Sequence, residues 1–169
     1  MAADDVLGTV CDRLVGGTMF HLEHYDLCSW LGVKWLAELH KDGYEHDSTC
    51  LRKMRHECVR HLGVFAPEGR QERSRYLDAF RQQRRCDVKS DVRKTAIDNA
   101  MHDWIDWEDG TVSLLTNACG RLESQGCLLL ADRVRRVAKD TSVELAEAKE
   151  LLLEMEAVDW DMSHIIDMR

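Results

Sequence analysis

At 169 residues, with 44% hydrophobic and 32% charged side chains, the chain has the size and composition of one globular domain, not of a disordered segment. Its net charge of −8 opposes binding to nucleic acid or anionic membrane, and no apolar run approaches the roughly 18 residues that cross a bilayer. The acidic start, Met1 to Asp5, is not a signal peptide, so a cytoplasmic protein is expected.

A single proline, Pro67, and long stretches without turn residues predict an all-α chain. A first helix is expected over residues 5–40, with Gly16, Gly17 and Gly32 as weak points and Met19, Phe20, Leu27, Trp30 and Leu31 among its apolar positions. Lys41, Asp42 and Gly43 read as a turn. A second helix follows over 44–63, with the stripe Leu51, Met54, Cys58, Leu62, ended by Gly63. Residues 64–87 form a long connection. It carries a short arginine-rich helical piece in which Tyr76 and Phe80 are one turn apart. A third helix is expected over 88–122, with Ile97, Met101, Trp104, Leu115 and Ala118 on one face. Ser124, Gln125 and Gly126 make a turn, and a fourth helix runs over 127–157. The tail from Asp159 is too short to assign.

Short turns make each helix pair antiparallel, and the long connection between the pairs is long enough to cross the bundle. That pattern predicts an up-down-down-up four-helix bundle. The seven cysteines are odd in number and form no C-x-x-C, so they read as reduced core residues.

The candidate chemistry lies in carboxylates placed within the apolar stripes, where an ionised group is costly unless paired. These are Glu23, Glu57, Glu108 and Glu144, one per helix, with His61 one turn after Glu57. Oxygen donors with one imidazole suit iron or manganese, and in carboxylate-bridged bundles such side chains hold a di-iron site. No residue is assigned a catalytic role. His21, His24, His46 and His56 read most simply as surface residues, and Trp104 and Trp107 as core or interface aromatics.

The stretch Ser29 to His40, SWLGVKWLAELH, resembles the end of the first helix in Dps-type miniferritins, and Met54 to Gly63, MRHECVRHLG, is similar to their segment closing at Leu-Gly. The 34 residues from Glu23 to Glu57 and the 36 from Glu108 to Glu144 are similar to ligand spacings in ferritins and bacterioferritins. The chain departs from those patterns at Ser29 and Lys53, and in reading Glu57-x-x-Arg60 and Glu144-x-x-Glu147 where ferritins carry Glu-x-x-His. The resemblance implies a ferritin-like fold, a homo-oligomer, and iron oxidation or storage at Glu23, Glu57, His61, Glu108 and Glu144. The alternative is a non-enzymatic bundle that has lost the metal and binds a protein partner through Trp35, Trp160, Tyr76 and Phe80.

Overall fold

The computed structural model describes residues 2–63 and 90–168, apart from the side chains of His61, Leu62 and Ser90. Four long helices dominate: α1 (Ala3–Leu31), α2 (Lys34–Leu62), α3 (Ser90–Ser124) and α4 (Leu128–Ala157), followed by the short α5 (Met162–Ile166). The short helix expected near Tyr76 and Phe80, and the arginine run around it, lie outside the described residues.

The first turn falls nine residues before the expected one. α1 ends at Gly32, whose φ of 86° is left-handed, and not near His40. Gly32 N–H donates to Ser29 O at 3.2 Å and Val33 N–H to Cys28 O at 3.0 Å, the paired bonds that close a helix on a C-terminal glycine. Only glycine adopts that φ without strain. Gly32→Ala should therefore destabilise the protein by about 1 kcal/mol or more, read as a lower denaturation midpoint in urea. Lys41 to Gly43, the expected turn, lie inside α2. The fourth helix starts after a glycine of the same kind, Gly126, with φ of 74°. The tail forms α5, capped by Asp161 Oδ1, which accepts from Ser163 N–H at 3.0 Å. Trp35 Nε1 donates to Ile165 O at 2.7 Å and ties α5 to the start of α2.

Side-chain contacts fix the helix directions. His21 meets His40, so α2 returns antiparallel to α1. Arg13 meets Thr111 and His21 meets Glu108, so α3 also runs antiparallel to α1. Cys119 meets Ala131, so α4 runs antiparallel to α3. α2 and α3 are therefore parallel, and their connected ends lie about 40 Å apart, the length of a 29-residue helix. This is the up-down-down-up order expected from the sequence.

Two apolar clusters fill the bundle, one at each end. One holds Leu7, Leu14, Met54, Leu115, Leu122 and Val134; the other holds Leu31, Leu36, Ile97, Trp104, Leu151 and Met155. Between them every long helix carries buried polar groups at one level: His21 and His24 on α1, His40 and Asp47 on α2, Glu108 and Thr111 on α3, Thr141 on α4. A polar layer thus crosses the bundle at mid-height.

Candidate metal centre

The layer is built on the inward seam of each helix. On α1 the buried series Leu7, Val10, Leu14, Gly17, His21, His24, Cys28 and Leu31 alternates steps of three and four. That spacing keeps one line of side chains facing the neighbouring helices. His21 and His24 belong to this line and are 0% and 3% exposed, which corrects the expectation that they are surface residues. His46 is half-buried, bonded to Cys50 Sγ at 3.4 Å, and His56 is exposed.

Three glycines make room for the layer. A Cβ on Gly17 would sit 1.8 Å from Asp47 Oδ2, one on Gly43 would sit 2.6 Å from His21 Cε1, and one on Gly16 would sit 2.8 Å from Trp107 Cη2. Gly16 and Gly17, expected as weak points, are therefore seats for an indole and an aspartate, and Gly43, expected in a turn, is the seat for an imidazole.

At the centre, His21 Nε2 lies 3.2 Å from Glu108 Oε1. That contact is not a hydrogen bond, and Nε2 of both His21 and His40 is buried with no hydrogen-bond partner among the described residues. Behind the ring, His21 Nδ1 is 3.1 Å from His40 Nδ1, so one of the two must donate to the other. When His21 donates, its neutral ring presents a bare lone pair at Nε2, the form that ligates a metal. Trp104 Nε1 donates to Glu108 Oε1 at 3.2 Å and orients that carboxylate. Single donor atoms of His21, Glu108 and Glu144 all lie within 4.8 Å of one another.

The electrostatics match a chamber short of cations. Burial, reinforced by Glu108 and Asp47, pushes the Glu144 carboxyl up to about 8. Burial also pushes Asp47 up to about 7; Glu108 adds to this, while His21 and Arg13 oppose it. Burial holds His24 down at about 4 despite its bond to Phe20 O, and drives His40 well below the usual imidazole range. Arg13 is held at the edge of the layer, donating from Nε to Thr111 Oγ1 at 2.7 Å and from Nη2 to Trp107 O at 2.6 Å.

Of the five residues expected to form a site, Glu108 and Glu144 come together. Glu23 is half-buried and stands two residues from His21, about 200° round the helix, so it does not share that point. Glu57 lies ten residues beyond Asp47 on α2, about 15 Å along the axis. It faces Arg133 Nε at 3.6 Å, beside a cleft of about 540 Å³ between α2 and α4. His61 lies on α2, but its side chain is outside the described residues. The residues that sequence reasoning missed are His21, His40 and Asp47. Their signal is the alternating seam of α1 and α2, which passes through them.

Fold and site together define a ferritin-like four-helix bundle with acidic and imidazole groups buried at mid-height. The bacterioferritin of Desulfovibrio desulfuricans, described by its diiron site in different catalytic states, superposes with a TM-score of 0.77 over 95% of this chain and 83% of that one, at 12% identity. No family model matches the sequence. No curated protein matches it. Among the described residues, no helix is long and apolar enough to cross a membrane.

Proposed function

We propose that this chain is a ferritin-like protein that binds iron inside the bundle and takes part in iron oxidation or storage. One observation carries the proposal: a fully buried imidazole nitrogen without a hydrogen-bond partner converges with two carboxylates. An open lone pair beside ionisable oxygens is costly in an apolar interior and fits a hard or borderline divalent ion. The likeness to a bacterioferritin fold supports iron as that ion. Bound ferrous iron would supply the electron given up to dioxygen; the protein's part is to gather the donors, keep them dry and hold His21 from behind through His40. The stretch that carries the miniferritin likeness, Ser29 to His40, forms the α1–α2 junction and delivers His40 to this site.

We also propose a cytoplasmic homo-oligomer. The six described cysteines are free, as suits a reducing compartment. Leu128, Leu129, Val143 and Leu153 leave apolar area exposed on α4 for a further copy. The partner-binding alternative loses support at Trp35, which is bonded to Ile165 O, and at Trp160, which packs on the apolar cluster at that end.

The test is elemental analysis after anaerobic ferrous addition and gel filtration. The parent chain and Glu57→Ala should retain iron. Glu108→Ala with Glu144→Ala should lose at least about nine-tenths of it with helicity unchanged, since ligand loss outweighs the tenfold or greater effects seen for outer-shell partners. A parent chain that retains no iron overturns the proposal.

A further inference from the structure

The number of ions can be read from the donor inventory. Paired-metal bundles of this topology draw a carboxylate from each of two helices and a Glu-x-x-His from each of the other two, giving four carboxylates and two imidazoles. Here α1 gives His21 and α3 gives Glu108. α2 gives Asp47-x-x-Cys50, and α4 gives Glu144-x-x-Glu147. The two positions where that pattern places imidazoles are thus a thiol and a carboxylate. Cys50 Sγ is engaged with His46 Nε2 at 3.4 Å, and Glu147 is not among the converging donors.

We infer that the mid-bundle chamber takes one divalent ion per chain and not a pair, held by His21, Glu108 and Glu144 with Asp47 beside them. The inference rests on the metal-binding reading above and deepens it. Among the described residues His21 is the one imidazole in the converging group. When its Nδ1 donates to His40 Nδ1, the unpartnered Nε2 of His40 carries a proton and no lone pair, so one ion receives a nitrogen donor. Charge points the same way: two carboxylates balance one dication, while two dications among three carboxylates would leave a buried positive charge uncompensated. Glu108 Oε1, the oxygen that lies 3.2 Å from His21 Nε2, also accepts from the Trp104 indole, which fixes how this carboxylate is turned toward the site. Gly17 keeps Asp47 close to α1, where it borders the chamber as the third acidic group.

Manganese(II) is the probe, because stoichiometry and spin coupling are read on one sample without turnover. Equilibrium dialysis of the full chain should give one ion per chain, with the electron-paramagnetic-resonance spectrum of an isolated ion. His21→Gln should weaken binding about tenfold or more with circular dichroism unchanged; if that variant misfolds, Glu108→Gln serves the same purpose. Glu57→Ala should bind as the parent does. Two ions per chain with an exchange-coupled spectrum overturn the single-ion inference and leave the iron-binding reading standing. Retention of neither manganese nor iron overturns both.

Discussion

Raising the pH from about 6.5 to about 8.5 should destabilise the metal-free protein by on the order of 2 kcal/mol, and a saturating divalent ion should remove most of that loss. The folded carboxyls of Glu144 and Asp47 titrate near 8 and 7, against ordinary values of 4.5 and 3.8. A raised carboxyl binds more protons in the folded than in the unfolded chain. Its stabilising contribution is therefore complete below the unfolded pKa and disappears as pH rises through the folded one. The loss runs from about pH 4 to about pH 8. Below about 6.5 it is opposed by His24 and His40, which are held neutral in the fold and take up protons on unfolding. The upper part of the window thus separates the two carboxyls from the histidines; the thiols of Cys28 and Cys50, raised by burial, add a smaller loss toward its upper end. About two pKa units remain there, at about 1.4 kcal/mol each before screening. In a chain of this size that corresponds to a fall of about 4–8 °C in Tm. Thermal melts with and without manganese across this range check it. A flat profile would mean that neither carboxyl is raised.

The second large effect is steric. Gly17→Ala and Gly43→Ala should each cost about 2–3 kcal/mol and weaken metal binding, although alanine is the better helix former by about 1 kcal/mol. The new methyl group would meet Asp47 Oδ2 at 1.8 Å in one case and the His21 ring at 2.6 Å in the other. Gly120, on the exposed side of α3 with nothing within 4 Å of its built Cβ, is the internal control. Gly120→Ala should be neutral or stabilising by up to about 1 kcal/mol. Urea denaturation of the three variants separates propensity from packing. Equal stabilisation in all three would mean that Asp47 and His21 are not seated against these glycines.

The four-helix order was legible because α3 and α4 carry long apolar stripes and the chain between the two hairpins is long. Glu108 and Glu144 were legible for the same reason, each standing one turn from an apolar residue of its stripe. The first hairpin was harder to read. α1 is apolar on much of its circumference, and residue type does not separate Leu22, which is 41% exposed, from the buried Leu14. Placing the turn at Gly43 instead of Gly32 then carried the helix through His40. The alternating steps through Gly17, His21 and His24, and through His40, Gly43 and Asp47, were present in the sequence. They were masked because their members are glycine, histidine and aspartate, which a search for greasy residues passes over. Glu23 and Glu57 drew attention by residue type, while rotation about the axis and distance along it decided their surroundings.

The polar layer also sets how the helices align lengthwise. Leucine seams alone are tolerant of slippage, since a one-turn slide of about 5.4 Å replaces one leucine contact with another. Here such a slide on any of α1, α2 or α3 would carry His21, Asp47 or Glu108 into one of the two apolar clusters and bring a leucine or alanine against the remaining polar groups. The groups that make the middle of the bundle expensive to bury are thus what gives it a single vertical alignment, as one polar residue fixes register in a coiled coil.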